Sequence, residues 1–246
     1  MEKLVYDTMA TGDFKENLIR NIREGKFIHM MKFGAEFSYN RSKSFCLRLL
    51  NRQFRFNGRD YKYFYCGFTS GTERCVEIPI VMGYVNSIMD SKRGVDILEV
   101  GNVLPYYHKF NHSVVDKYER GKGIINDDIV TFKPHKKYDL IVSISTIEHV
   151  GWDEVPKEPG KILKAIKNIR HLLKSGGSAI ITIPVSYNRE FDRLYKSGKV
   201  KFDEAYYMER TGKYEWVQST YKKIKRLKFN SPFPCANGLI IGIIKN

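Results

Sequence analysis

Long hydrophobic runs are missing from this chain. None of its 246 residues falls in a stretch approaching the roughly 18–20 consecutive apolar residues of a membrane-spanning helix, so no span of that kind is expected. Cysteine is scarce. Cys46, Cys66, Cys75 and Cys235 form no Cys-x-x-Cys pair and have no histidine cluster near them. That argues against a structural zinc site or a disulfide framework and leaves free thiols and no metal as the expectation. The start, Met1-Glu2-Lys3-Leu4, lacks a signal peptide's apolar stretch and small-residue cleavage site, so the cytoplasm is the expected location. Internal repeats, low-complexity tracts and Pro/Ser-rich linkers are also wanting. Acidic residues are the minority, 27 against 42 Lys and Arg, for a net charge of +15. So basic a protein favours anionic partners: nucleic acid, phosphorylated metabolites, nucleotide sugars or acidic lipid surfaces.

Glycine is thin at one telling place. A dinucleotide fold lays a pyrophosphate on a helix N-terminus behind a G-x-G-x-x-G turn. The corresponding run here is Gly101-Asn102-Val103-Leu104-Pro105-Tyr106, with one glycine where three are wanted. Pyrophosphate binding is therefore disfavoured.

What is present is apolar residue in quantity, 42% of the chain, enough for a large core in one α/β domain with added elements. Residues 1–72 read as an N-terminal extension of helix and β-hairpin, and residues 73–246 as the main domain. Within the extension, residues 14–23 suit a short helix. Residues 47–56 and 61–68 are β-rich and aromatic, and Asn57-Gly58 between them tolerates the positive φ of a tight hairpin turn. Arg48, Arg52, Arg55, Arg59 and Lys62 decorate that hairpin. Two readings stand: contact with RNA or an anionic substrate, or a solvated outer face with the aromatics packed inward. Residues 73–91 follow as a helix containing Pro79, with Ile78, Val81, Met82, Val85 and Met89 at helical spacing.

Residues 95–184 alternate strand and crossover. Strands are expected at residues 95–100, 113–116, 123–126, 138–143 and 178–183. A helix is expected at residues 161–173, started after Pro159 and stopped by Gly176-Gly177. Apolar strands alternating with crossovers imply a parallel sheet covered on both faces, with ligands outside the carboxyl ends of the strands. Residues 185–246 read as a cap, helical near residues 191–196, followed by strands at residues 215–220 and 239–244. The basic run from Lys222 to Lys228 reads either as a phosphate-binding segment or as a half-buried element with a charged outer face.

A nucleoside ligand gives such strand ends three tasks: a glycine turn after the first strand, an acid at the end of the second for the ribose hydroxyls, and a polar group after the third for the base. Glu99-Val100-Gly101-Asn102, Asp116 and Asp128 stand in that order.

With these residues in place, residues 95–184 resemble the class I (Rossmann-like) methyltransferases that use S-adenosylmethionine (SAM). Leu98-Glu99-Val100-Gly101 resembles their first motif, Val114-Val115-Asp116 their second-strand acid, and Asp128-Ile129 the acid after their third strand. The fourth strand and the segment after it, Tyr138 through Ser145-Thr146-Ile147-Glu148-His149-Val150, match most closely. Leu172-Leu173-Lys174-Ser175-Gly176-Gly177 resembles the helix end before the fifth strand. Glu148-His149-Val150-Gly151-Trp152-Asp153-Glu154 and Pro232-Phe233-Pro234-Cys235-Ala236-Asn237 are similar to a subgroup of small prokaryotic methyltransferases of unsettled substrate. Val103 replaces the usual second glycine, and Pro105 sits in an abbreviated first crossover, which implies an altered hold on the cofactor's amino-acid end.

The resemblance implies a mostly parallel sheet in the order 3-2-1-4-5-7-6 with a late antiparallel strand. It implies SAM as cofactor and leaves the substrate unsettled; the favoured methyl acceptor is a small molecule or glycan, open to being anionic, methylated at oxygen. Cofactor contacts are expected from Glu99, Gly101, Asn102, Asp116, Lys117, Asp127, Asp128, Ser145, Thr146 and Glu148. Tyr187 and Asn188 are expected at the substrate, with Tyr206 and Trp216 as weaker cap candidates. In-line methyl transfer expels a neutral thioether, so holding nucleophile and methyl in line carries much of the catalysis, and a base helps a hydroxyl or protonated amine. His149 is the candidate base; orienting the loop is its other reading. RNA methylation, supported by charge, and a non-catalytic nucleotide- or RNA-binding module on the same fold remain the alternatives.

Overall fold

The computed structural model describes residues 27–246, without the side chains of residues 27–34, Glu36, Phe37 and Phe68. The short helix expected at residues 14–23 lies outside the described residues. The described residues begin with a long helix, α1 (Phe27–Leu49). Its end takes up Leu47 to Leu49, which the sequence reading had placed with the hairpin strand. The hairpin is tighter than expected: β1 (Gln53–Phe56) pairs antiparallel with β2 (Arg59–Lys62). Asn57 (φ 47°) and Gly58 (φ 77°) turn it, as their tolerance of positive φ predicts. Phe54 and Phe56 are buried while Arg55 and Arg59 are exposed, the alternation a half-buried hairpin requires.

Helix α2 (Arg74–Ser91) carries Pro79 in its interior. Proline has no N–H to give the carbonyl four residues back. That carbonyl, on Cys75, instead accepts the Phe64 amide at 2.9 Å, so the imino acid ties the helix to the segment after the hairpin. Ile78, Val81 and Val85 are buried, and Met89 at the open end is exposed.

Among the described residues the main sheet has eight strands: β3 (Ile97–Val100), β4 (Ser113–Val115), β5 (Ile124–Ile125), β6 (Tyr138–Ile144), β7 (Leu173–Pro184), β8 (Glu204–Gly212), β9 (Glu215–Gln218) and β10 (Gly238–Lys245). Their order is β5-β4-β3-β6-β7-β10-β8-β9. The first five in this order are mutually parallel; β10 pairs antiparallel with both β7 and β8, and β9 antiparallel with β8, so β8 runs with the first five while β10 and β9 run against them. This is the order the resemblance implies, with one edge strand added. The sequence reading missed β8, whose burial is mixed. Strand β7 begins at Leu173, so α3 (Lys161–His171) ends before Gly176 and Gly177, and these glycines lie inside the strand.

Both faces of the sheet are apolar. Leu98, Val100, Ile141 and Ile181 join the core under α3 and the short helix α4 (Arg189–Lys196). Ile97, Leu140, Val142, Ile180 and Ile241 join the opposite core, with α2 and the hairpin aromatics Phe54, Phe56, Tyr63 and Tyr65. Alternation within continuous apolar runs is what a sheet buried on both faces demands. A one-turn helix, α5 (Tyr221–Ile224), carries part of the basic run and buries Ile224 under an exposed charged face.

Candidate functional site

The carboxyl ends of β3, β4, β5 and β6 frame a groove lined by Val100, Gly101, Val115, Asp116, Lys117, Tyr118, Asp127, Asp128, Ile129, Thr146, His149, Val150 and Glu154. It lies where a doubly wound sheet binds its ligand. Val100, Val115, Ile129 and Val150 give it apolar walls suited to a flat base, and the acids give it a polar rim.

The turn after β3 is built around Gly101. Its φ is 89°, and its amide donates to the Val115 carbonyl at 2.9 Å, tying the turn to β4. A Cβ at this position would come within 2.7 Å of Thr146 Cγ2 and closer still to Oγ1. Glycine is thus required by conformation and by the closeness of the loop after β6. Glu99 turns inward and is fully buried. Its Oε1 accepts the Val103 and Leu104 amides at 2.9 and 2.8 Å, and its Oε2 lies 2.8 Å from His112 Nε2. The amides that would cradle a phosphate are therefore satisfied by a side chain. Glu99 braces the turn and is not among the groove residues. Asn102 donates to Glu119 at 2.6 Å across the same turn.

Asp116 lines the groove at the end of β4. Its Oδ1 accepts the Tyr118 and Glu119 amides at 2.8 and 2.7 Å, which fixes the carboxylate at the strand end. Asp127 Oδ1 caps the Asp128 amide at 2.7 Å. Asp128 and Glu154 share two lysines. Lys117 Nζ lies 3.0 Å from Asp128 and 3.1 Å from Glu154; Lys161 Nζ lies 2.9 Å and 2.6 Å from the same pair. Burial works to raise both carboxyls, but the lysine hydrogen bonds prevail and hold both below the usual range. Burial likewise works against the Lys161 ammonium, and its carboxylate partners outweigh this and raise it.

After β6 the chain turns sharply through Ser145 (φ 40°) into a single 3-10 turn, Ile147–His149. Ser145, expected at the cofactor, instead donates to Glu77 Oε1 at 2.5 Å. Thr146 lines the groove. Glu148 is buried, and its Oε2 has no hydrogen-bond partner among the described residues. Burial pushes its carboxyl well above the ordinary range, with Glu77 and Glu73 adding to the rise. His149 is half-exposed on the groove. Its Nδ1 lies 2.5 Å from Asp153 Oδ2, and the Tyr187 hydroxyl donates to the same oxygen at 2.6 Å. A carboxylate only accepts, so these partners place the proton of neutral His149 on Nδ1 and leave Nε2 as the basic nitrogen.

Tyr187 reaches the site, but through His149 and Asp153. Asn188, expected at the substrate, caps α4: its Oδ1 accepts the Glu190 and Phe191 amides, and its Nδ2 donates to the Glu148 carbonyl at 2.8 Å. Trp216 is buried, with its amide on the Tyr63 hydroxyl, and Tyr206 bonds Asn57 and Glu204; neither is among the groove residues. Sequence reasoning missed Asp153 beside His149, and Lys161 and Glu154 in the ion network at the groove. Only Asp153 carried a local signal, its four-residue spacing from His149.

No family model and no curated protein sequence matches this chain. Solved structures do. The N-methyltransferase NodS from Bradyrhizobium japonicum WM9, in complex with S-adenosyl-L-homocysteine (SAH), is similar at 12% identity over 71% of this chain and 91% of that one, with a TM-score of 0.42. An rRNA methylase from Streptococcus thermophilus is similar at 12% identity, over 69% and 96% of the two chains, with a TM-score of 0.40. The sugar N-methyltransferase KedS8 from a Streptoalloteichus species is similar at 10% identity, over 67% and 86%, with a TM-score of 0.33.

Proposed function

We propose that this protein is a SAM-dependent methyltransferase acting at a hydroxyl of a small-molecule or glycan-type acceptor. One observation carries the cofactor reading. The groove offers a nucleoside its walls and acids, yet the amides of its glycine turn are consumed by Glu99. A dinucleotide would bring a pyrophosphate to those amides, whereas SAM has no phosphate and does not need them.

In this reading Asp116 takes the ribose hydroxyls, and Asp127 with the network-held Asp128 faces the base. When bound, SAM supplies an electrophilic methyl on a sulfonium that leaves as a neutral thioether. The chain's part is to orient the acceptor and move its proton. Asp153 and Tyr187 fix the His149 ring, and Nε2 takes the proton from the acceptor hydroxyl. Phe229, which follows the exposed cations of the Lys222–Lys228 run, lies with its ring 5.0 Å from that of Tyr187, and cations this near the site favour an acceptor carrying negative charge.

Calorimetry with SAM and SAH tests the reading: both bind the folded protein. Asp116→Ala weakens them by about 1–3 kcal/mol through loss of charge-assisted hydrogen bonds. A folded protein that binds neither rules the reading out; unchanged affinity in the variant removes Asp116 as the ribose acid.

A further inference from the structure

One set of buried charges at the strand ends has no complete answer among the described residues. Glu73, Arg74 and Glu77 stand at the start of α2, and Glu148 lies close enough for their charges to act on it. Glu77 is fully engaged: Ser145 and Thr182 hydroxyls donate to Oε1 at 2.5 and 2.6 Å, and Arg74 to Oε2 at 3.1 Å. Arg74 also donates to the carbonyl of Ile144, the last residue of β6, at 2.8 Å, while 24% of its side chain stays accessible. Glu148 is different. It is 1% exposed, its Oε2 has no partner among the described residues, and its Oε1 lies 3.8 Å from His149 Nε2. A buried polar atom left unpaired is costly, and native structures keep few of them.

The position follows from the strand. Arg74 is bonded to the carbonyl of Ile144 at the end of β6, and Glu148 lies between Thr146 and His149, both of which line the groove, so the two adjoin the groove lining on its β6 side. Glu99 occupies the Val103 and Leu104 amides of the glycine turn, so these two do not hold an anion. A grip on the far end of a nucleoside ligand is therefore sought beyond them. The partly exposed Arg74 side chain and a carboxyl oxygen unpaired among the described residues together complement a zwitterion.

We propose that Arg74 and Glu148 form the receptor for the amino-acid end of the cofactor, the guanidinium taking its carboxylate and the Glu148 carboxylate its ammonium. This rests on the SAM reading above. The pairing has a proton consequence. Burial keeps the free Glu148 carboxyl neutral into a range where an ordinary glutamate is ionised. An ammonium brought against it favours the carboxylate, so binding expels the Glu148 proton to solvent.

The test is titration calorimetry in buffers of different ionisation enthalpy. The probes are SAH and 5′-methylthioadenosine, a nucleoside thioether that lacks the amino-acid end. The wild type binds both and releases a proton only with SAH. Glu148→Gln and Arg74→Lys each weaken SAH at least tenfold and leave methylthioadenosine within twofold, and Glu148→Gln abolishes the proton release. Retained methylthioadenosine binding shows that a variant is folded; if Glu148→Gln does not fold, Arg74→Lys and the wild-type proton count carry the test. Equal losses for the two probes, undiminished SAH affinity, or proton release that survives Glu148→Gln overturns the proposal. If the folded wild type binds neither probe, it is the SAM reading that has failed.

Discussion

The two sides of the groove handle charge in opposite ways. On the β4–β5 side, Lys117 and Lys161 meet Asp128 and Glu154 in a network where every charge has a partner within about 3 Å. On the β6 side, three glutamates surround Arg74, and one of them ends in a buried oxygen that is unpaired among the described residues. A closed network stabilises the walls and needs nothing from outside. An open one is tolerated only if something else recovers its cost, and a ligand is the simplest candidate. Perturbing each side in turn should separate scaffold from receptor.

The largest effect is expected where the open side touches the scaffold. Glu77→Ala removes the acceptor shared by Ser145, Thr182 and Arg74, and leaves a guanidinium without its carboxylate. Breaking a buried ion pair from one side costs about 3–5 kcal/mol, which thermal or urea unfolding will read. A loss below about 1 kcal/mol would mean that Glu77 is no keystone. Gly101→Ala ranks next. The new methyl meets Thr146 in a backbone conformation unfavourable to L-residues, a cost of about 2–4 kcal/mol. Adding Thr146→Ala, which clears Oγ1 and Cγ2, should recover part of that loss, since residues in contact couple.

The two sides should also differ in pH dependence. Asp128 and Glu154 are held below their ordinary values, so their contribution is complete above the unfolded carboxyl range and fades as pH falls through the depressed folded values. Lys161→Met, costing about 2 kcal/mol near neutrality, should flatten the acid limb of the stability profile. Glu148 is raised instead. Its favourable contribution is complete below the unfolded glutamate value and is lost as pH climbs through the folded one. Glu148→Gln should therefore flatten the decline that begins above the unfolded glutamate range and leave the acid limb alone. If both variants change the same limb, the contrast between the sides is wrong.

The difference between the sides also explains what could be read from sequence. The parallel strands were legible because each is a short apolar run between breakers, and the groove acids because they stand at strand ends in a set order. The hairpin turn was legible in Asn57-Gly58. Strand β8 was not, since its residues are mixed in burial and polarity and its pairing with β10 joins segments far apart in sequence. Arg74 and Glu77 were read only as part of a helix; their meaning comes from Ser145 and Thr182, brought to them by the sheet. Glu99, Ser145 and Asn188 were correctly seen as polar residues at strand or loop ends. The sequence could not show that their partners lie within the chain.

Asn188 allows the most delicate test of the contrast. Its side chain caps α4 through two amides at 2.9 Å each and holds the Glu148 carbonyl at 2.8 Å. Loss of an N-cap costs about 1 kcal/mol, somewhat more where the residue is buried. Asn188→Ala should therefore lower the melting temperature modestly. Its second bond makes the prediction sharper. If the receptor depends on the placement of Glu148, freeing that residue's backbone should weaken SAH a few-fold and leave methylthioadenosine unchanged. Asn188→Asp keeps the cap but cannot donate to the carbonyl, so it should hold more of the stability while showing the same selective weakening. A variant that loses both probes together would place Asn188 under the nucleoside, and one that loses neither would confine it to the helix cap.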